Sequence, residues 1–446
     1  MSDYEPILTR HSGQPGSATL VYYLAHEGYR AARKAVLDMS SDEIIQVVKD
    51  SNLQGRGGAG FPAGVKWGFI PKDTKQPRYL ICNADEGEPG TFKDRLLITH
   101  NPHQLIEGMI IASKAIDCHL AFIYIRGEFV REARLLETAL EECRASNILG
   151  KGIFGSNHHL DILVHRGGGA YICGEEMALI ESLEGKRGWP RIKPPFPAVE
   201  GYMRCPTIVN NVETLSNLPH IINDGAEWFR SIGASPDSPG PKLYCLSGHV
   251  KKPGVYEAPM GTKLTNLIFT RAGGTPEGRK LKAVIPGGSS APLLTADEIE
   301  DLKMDFPSLR AAGSMLGSAG IIVMDETTDM VQACYNVTRF YAHESCGQCT
   351  PCREGTTWLT KILHRFTRGR GRKEDIDLIL DITDNIGGLI DFSRGSFGKT
   401  ICPFGEAVAW PVRAFVEKFR DEFEACLPVT KGPIQEEVTA CPGGIQ

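Results

Sequence analysis

Hydrophobic positions recur along this chain in two rhythms. The runs RYLICNA (78–84), AFIYIRGE (121–128) and LDILVHR (160–166) have the length and apolar content of buried strands. Between them, NPHQLIEGMIIASKAI (101–116) and EFVREARLLETALEECR (128–144) place apolar residues every three or four positions, as one face of a helix requires. Strands alternating with helices predict an α/β layer fold with a largely parallel sheet. A further helix is predicted over SDEIIQVVKD (41–50), with a serine cap. Ser, Pro and Gly then crowd SIGASPDSPGP (231–241), the composition of a linker. Beyond it, KLYCLSGHV, GVYEAPM and LKAVIPGGSS read as short strands with turns and predict a small α+β module over 242–325. From 327 the pattern turns helical: TTDMVQACYNVTRFYAHES, TTWLTKILHRFTR, KEDIDLILDITDNI and AVAWPVRAFVEKFRDEFEAC have the spacing of a small bundle. The division expected is 1–235, 242–325, 327–426 and an extended tail, 427–446.

Composition narrows the function classes. The 446 residues carry a net charge of −5, so a basic surface for nucleic acid is not indicated. No stretch approaches the roughly 18 uninterrupted apolar residues of a membrane span. The start, MSDYEPILTR, has neither a secretory apolar core nor an Arg-rich transit pattern, and a cytoplasmic location is expected. The 13 cysteines are then more naturally metal ligands, catalytic groups or core residues than disulfides.

Glycine marks the first candidate site. In GRGGAGFPAG (55–64), Gly55, Gly57 and Gly60 match the spacing that lets a backbone approach a pyrophosphate. An ordinary dinucleotide fingerprint follows a strand, whereas this loop follows a predicted helix, so it calls for a different phosphate cradle or a plain surface turn. Arg56 and Lys66 offer charge nearby; Phe61, Trp67 and Phe69 offer ring faces. A second segment, HRGGGAYICGEEMALIESLEG (165–185), opens a helix near Gly174. Glu175 and Glu176 in its first turn suit the helix dipole and would repel a phosphate, so they are assigned to ribose hydroxyls or ring edges. CNADEGEPGTFKDR (82–95) follows a strand end, where α/β folds place ligands, and offers Asn83, Asp85, Glu86 and Glu88. Alternatively it is a solvated acidic turn. In TIVNNVETLSN, Asn210, Asn211 and Thr214 can cap a helix or donate to a phosphate.

The sharpest signal is SCGQCTPC (345–352), where Cys346, Cys349 and Cys352 form C-x2-C-x2-C. Three thiolates at that spacing converge on one small cluster, each taking a different iron, whereas zinc sites favour paired C-x2-C knuckles. Thr356 stands where a two-cluster ferredoxin has its fourth cysteine. Cys402, followed by Pro403, is the natural remote ligand; Cys334, Cys426 and Cys441 lie in the same region.

GRGGAGFPAGVKW, CNADEGEPGTFKDR, GGGAYICGEE, KPPFPA, PTIVNNVET and ESCGQCTPCREG occur in this order. Together they resemble the NADH-binding, FMN-containing subunit of NADH:quinone oxidoreductase (respiratory complex I) over about residues 20–425. Diaphorase subunits of NAD-linked hydrogenases and formate dehydrogenases are similar. The resemblance implies a Rossmann-like FMN domain, a ubiquitin-like β-grasp module and a helical bundle with one [4Fe–4S] cluster. It implies FMN contacts at Gly55, Arg56, Gly57, Lys66, Asn83, Asp85 and Glu86, and at Tyr171, Gly174, Glu175, Val209, Asn210, Asn211 and Thr214. NADH contacts are implied at Phe61, Lys66, Phe69, Glu88, Glu175, Glu176 and Phe196, and cluster ligands at Cys346, Cys349, Cys352 and Cys402. Implied partners are a thioredoxin-like [2Fe–2S] subunit and a large iron–sulfur subunit, in a peripheral arm on the cytoplasmic side of the membrane. A hydride carries two electrons and a cluster takes one, and FMN handles both. Two rivals remain open: a soluble diaphorase, and a scaffold with structural zinc.

Overall fold

A computed structural model describes residues 4–235, 237–388 and 399–428. Four parallel strands form the first sheet: β1 (Tyr79–Ala84), β2 (Leu120–Ile125), β3 (Asp161–Arg166) and β4 (Thr207–Asn211). Their order is β3-β2-β1-β4. The chain therefore winds outward from β1 through β2 to β3, then returns to add β4 on the other side of β1. Such a reversal opens a crevice beyond the carboxyl ends of β1 and β4, where α/β proteins bind ligands.

The crossover from β1 to β2 includes the helix Pro102–Ile116, of which only Lys114 escapes burial. It lies so close to the helix Val212–Ser216 that a Cβ on Gly108 would stand 2.0 Å from the Leu215 carbonyl oxygen. The helix Ser41–Asp50 opens with a reciprocal cap between Ser40 and Glu43 and buries Ile44 and Val48. The glycine-rich loop follows this helix and precedes the short helix Ala63–Trp67.

A second sheet has the order β6-β5-β9-β7-β8: β5 (Pro241–Gly248), β6 (Gly254–Pro259), β7 (Leu281–Ile285), β8 (Leu294–Thr295) and β9 (Gly320–Asp325). β5 and β9 are parallel; the other pairings are antiparallel. Tyr244, Leu246, Val284, Ile321 and Val323 build its own core with Leu267 and Leu309.

Four longer helices follow: Met330–Glu344, Thr350–Phe366, Lys373–Ile386 and Phe404–Lys418, each packed against at least two others. The apolar pattern suggests one final helix to about residue 426. The structure breaks it at Phe419 (φ −125°, ψ 33°), and a separate helix, Arg420–Ala425, follows. The second helix starts earlier than its apolar pattern indicates, because Cys349 is its N-cap and Cys352 lies in its first turn. No helix among the described residues is long and apolar enough to cross a membrane. Of the expected tail, residues 429–446 lie outside the described residues.

Candidate functional site

A cleft of about 650 Å³ opens at the β1–β4 reversal, and all three parts of the chain line it. β1 delivers Asn83, whose Nδ2 donates to the Gly174 carbonyl (2.9 Å) and whose Oδ1 accepts from the Asp85 backbone N–H (3.0 Å). That clamp turns Asp85 into the cleft. Its residue is only 8% exposed, and its Oδ2 has no hydrogen-bond partner. Burial pushes the carboxyl up to about 7, against the pull of Arg126. Glu86 accepts from the N–H groups of Asp94 (2.8 Å) and Arg95 (3.0 Å) at the start of the helix Lys93–His100. Burial and the charge of Asp94 raise it to about 7 as well. Glu88 accepts from the Tyr171 hydroxyl (2.6 Å) and the Ser290 N–H (2.8 Å), and burial raises its carboxyl.

The other wall is basic. Lys93 is fully buried, 2.8 Å from both Asp94 and Glu213, and reaches Asn211 at 3.3 Å. Burial alone would lower its pKa; the carboxylates of Asp94, Glu213 and Glu86 outweigh burial and raise it. Glu213 also holds Lys242 of β5 at 2.6 Å and the Leu243 N–H at 2.8 Å, tying this wall to the second sheet. Asn211 caps the helix Val212–Ser216 and donates to Asp94. Gly57 lies against it, since a Cβ there would stand 2.8 Å from the Asn211 Cβ, while a Cβ on Gly58 would meet nothing within 4 Å. The loop thus brings bare backbone to the cleft.

Glu175 is the N-cap of the helix Glu176–Leu183 and accepts from the N–H groups of Met177 and Ala178, both at 2.9 Å. Lys193 bridges Glu175 and Glu176 at 2.8 Å each, and Lys66 reaches Glu176 (2.9 Å) and the Val209 carbonyl (3.0 Å). Burial opposes ionisation of Glu176, yet Lys66 and Lys193 hold it down to about 2.

Of the residues singled out from sequence, Gly57, Asn83, Asp85, Glu86, Glu88, Tyr171, Gly174, Glu175 and Asn211 line the cleft together. Gly55, Arg56, Asn210 and Thr214 stand behind it. Gly55 N–H donates to the Phe61 carbonyl (3.0 Å) and Arg56 N–H to the Thr214 hydroxyl (2.8 Å). Two expectations need correction. The Arg56 side chain is fully buried and donates to the Pro239 carbonyl (2.7 Å), so its charge does not face the cleft. Trp67 is buried too, with Nε1 donating to Asn210 Oδ1 (2.9 Å), and offers no ring face. Phe61, Phe69 and Phe196 are about half exposed, and the first two rings pair at 5.9 Å. Lys66, Val209 and Glu176 form the adjoining ion-paired cluster rather than the lining.

Sequence reasoning missed Lys93, and Phe306, Arg310 and Ser318 from the second module, with Phe404 and Trp410 from the helices. No local motif flags the last five, because they reach the cleft by tertiary packing. Lys93 stands inside the CNADEGEPGTFKDR motif, where a lysine beside an aspartate reads as a solvated pair.

Cys346, Cys349, Cys352 and Cys402 line one small pocket with Thr400, Ile401 and Phe404. Cys334 and Cys426 are outside that lining, and Cys441 lies outside the described residues. Burial raises the thiols of Cys346, Cys352 and Cys402, pushing Cys352 up to about 12. Thiolates in this apolar pocket need positive charge at its centre, as metal supplies. Among the described residues no three His, Cys, Asp or Glu side chains are grouped to hold a single ion. Four sulfurs around a cavity wall suit a polynuclear cluster, where each iron takes one thiolate, better than one tetrahedral zinc. Phe404 belongs to both the pocket and the cleft, so the two sites share a wall.

Comparison with known proteins agrees with this geometry. Residues 48–220 match the model of the Nuo51 FMN-binding domain, 242–323 the SLBB domain, and 332–426 the NADH-ubiquinone oxidoreductase-F iron–sulfur binding region. The second NADH-quinone oxidoreductase F subunit of Rhizobium meliloti (strain 1021) is 52% identical over 96% of this chain and 99% of its own length. The corresponding F subunit of Mycobacterium bovis (strain ATCC BAA-935 / AF2122/97) is 52% identical over 94% of this chain and 93% of its own. Among solved structures, an NAD+-reducing [NiFe]-hydrogenase in the H2-reduced state aligns with a TM-score of 0.80 at 38% identity, covering 95% of this chain and 67% of that one. The cleft, the four-cysteine pocket and these likenesses lead to one assignment: the chain belongs to the family of NADH-quinone oxidoreductase F subunits.

Proposed function

We infer that this chain is the electron-input subunit of an NADH:quinone oxidoreductase, oxidising NADH with FMN and passing electrons to a [4Fe–4S] cluster. The observation that carries this is the shared Phe404 wall between a nucleotide-sized cleft and a four-cysteine pocket. When bound, FMN supplies hydride acceptance in two-electron form and release of electrons singly. The protein contributes position. Gly57 and Gly58 let backbone approach a phosphate-bearing ligand; Asn83, Asp85, Glu86, Tyr171, Gly174 and Glu175 border the ring space. Val209, Asn210 and Thr214, with Gly55, Arg56 and Lys66, support that border from behind. Phe61, Phe69 and Phe196 offer exposed faces on which a nicotinamide nucleotide can stack, and Glu88 and Glu176 offer carboxylates to its ribose hydroxyls. Cys346, Cys349, Cys352 and Cys402 are the cluster ligands in this scheme.

The domain division follows the same reading: 1–235 as a Rossmann-like FMN and NADH domain, 242–325 as a β-grasp module, 327–426 as a four-helix bundle, and 427–446 as a tail. The parallel β5/β9 pair between antiparallel neighbours supports the β-grasp description. The partners proposed are a thioredoxin-like [2Fe–2S] subunit and a large iron–sulfur subunit, in a peripheral arm on the cytoplasmic side of the membrane. The hydrogenase likeness supports a second reading, a soluble diaphorase with the same chemistry and another acceptor.

The test is the visible spectrum of the anaerobically purified chain before and after NADH. A flavin band over a broad iron–sulfur background, both bleached by NADH, is expected. Flavin that NADH leaves oxidised removes the NADH assignment; zinc without flavin removes the whole scheme.

A further inference from the structure

We propose that Arg310, supplied by the second module, binds a phosphate group of the nucleotide held in the cleft. This rests on the nucleotide reading above and extends the site beyond the first sheet. Three observations carry it.

The first is place. Arg310 sits in the last turn of the helix Phe306–Ala311 and lines the cleft. Phe306, one turn earlier on the same helical face, is pressed onto the glycine-rich loop: a Cβ on Gly60 would stand 2.4 Å from its ring. Gly60 has φ +73°, a conformation natural to glycine, and its missing side chain makes room for Phe306. That contact docks the helix beside Gly57, Gly58 and Ala59, which line the same cleft.

The second is charge. The cleft wall carries six carboxylates: Asp85, Glu86, Glu88, Asp94, Glu175 and Glu406. Its two cations are Lys93 and Arg310. Lys93 is already compensated by Asp94 and Glu213. Arg310 makes no ion pair among the described residues. It is therefore the lining cation with charge to spare, in a cleft whose other cation, Lys93, is already neutralised. A phosphate entering such a wall needs a counter-charge, and the guanidinium fork matches phosphate oxygens two at a time.

The third is the floor beside it. Ser318, in the same module, hydrogen-bonds the Thr91 hydroxyl, and both line the cleft. The Ser318 carbonyl accepts from Lys242 (3.3 Å), which is locked to Glu213. The second module is thus fastened to the first at the basic wall, so Arg310 is carried on a fixed support.

Phosphate in this cleft can come from FMN or from the pyrophosphate of NADH. The experiment separates them on the full chain, stripped of flavin. Dissociation constants of FMN, riboflavin and ADP-ribose are measured for the native chain, Arg310→Gln and Arg310→Lys. Loss of a charge-assisted pair weakens binding by about ten- to hundredfold. If the flavin phosphate is the partner, FMN weakens by that factor in Arg310→Gln and riboflavin does not. If the dinucleotide is the partner, ADP-ribose weakens and the FMN-to-riboflavin ratio holds. Arg310→Lys recovers part of either loss. Unchanged constants for both phosphate ligands overturn the proposal. Failure of the native chain to bind any of the three overturns the nucleotide reading itself.

Discussion

Replacing Asp85 with asparagine should stabilise the cofactor-free protein, and by an amount that depends on pH. The Asp85 carboxyl is buried at the cleft with an unpartnered Oδ2, and burial moves it from 3.8 to about 7. A folded-state value above the unfolded one means that the native chain keeps a proton the unfolded chain releases. Below about pH 4 both states are protonated and the group costs nothing. Between about 4 and 7 stability falls as pH rises, and above about 7 the full penalty applies. At 1.36 kcal/mol per pH unit the shift corresponds to about 4 kcal/mol, and water entering the open cleft lowers this to ~2–4 kcal/mol. Asparagine has nearly the same shape and no charge to desolvate.

The assay is thermal unfolding of flavin-free native and Asp85→Asn chains from pH 5 to pH 8. At about 1 °C per kcal/mol for a chain of 446 residues, the variant should melt about 2–4 °C higher at pH 8. The gap should shrink to less than half at pH 5. A gap independent of pH, or a variant less stable at pH 8, would refute the argument that Asp85 is desolvated and unpaired. Flavin affinity should move the other way, since a carboxyl kept at a stability cost belongs where ligand chemistry uses it.

Other changes probe the remaining parts. Cys402→Ser should abolish the [4Fe–4S] EPR signal and lower iron content while FMN stays bound; an unaltered signal would move the fourth ligand elsewhere. Glu175 and Glu176 are balanced by Lys66 and Lys193, so Glu176→Gln leaves one surplus positive charge. NADPH use relative to NADH, read as a kcat/KM ratio, should then rise about five- to thirtyfold, worth about 1–2 kcal/mol. An unchanged ratio argues against Glu176 beside the ribose. Glu213→Gln leaves Lys242 without a carboxylate and Lys93 with Asp94 alone, all buried. A loss of about 3–5 kcal/mol is expected in denaturant unfolding, partly recovered by adding Lys242→Met; a loss below ~1 kcal/mol would contradict the network.

What the sequence disclosed follows from the range of the signal. β1 and β2 are apolar runs, legible because strands buried on both faces need no polar alternation; β3, at the sheet edge with only Ile162 buried, is marked by its short apolar run Ile162–Val164 instead. β4 escapes such a reading, since Thr207–Asn211 spends its last two residues on asparagines, Asn210 accepting from buried Trp67 and Asn211 lining the cleft and capping the next helix. β9 hides behind AAGSMLGSA, which reads as loop although GIIVMD after it is the middle strand of its sheet. The three clustered cysteines needed no structure. Their convergence with Cys402 was an expectation that local spacing alone left open. Arg56 misleads because a charge in a glycine loop suggests solvent or ligand, whereas the turn carries it inward to Pro239. Arg310 is silent for the opposite reason, its role depending on a helix docked against a loop far away in the chain.

The placement of these silent residues bears on how an asymmetric ligand would be oriented. Tyr171, 2.6 Å from Glu88, lies 5.8 Å ring to ring from Phe404, the residue shared with the cysteine pocket. Phe306, by contrast, lies on the glycine loop, and Arg310 follows it. Carboxylates near Tyr171 repel an anion and leave room for an uncharged ring; the unpaired guanidinium attracts the anion. A ligand with a phosphate at one end and a ring at the other therefore has its two orientations separated by electrostatics before any shape is compared. Turning it around would place phosphate against carboxylates, at a cost of several kcal/mol. The favoured orientation sends the ring toward Phe404 and the cysteines. The second module then contributes more than support for the fold: it sets which end of the ligand faces the cluster. Arg310→Gln should accordingly slow reduction of the cluster by NADH even when FMN is supplied at saturation. Rapid-mixing spectra can follow cluster reduction apart from flavin bleaching. Equal cluster rates in the native chain and the variant at full flavin occupancy would confine Arg310 to affinity and sink the orientation argument.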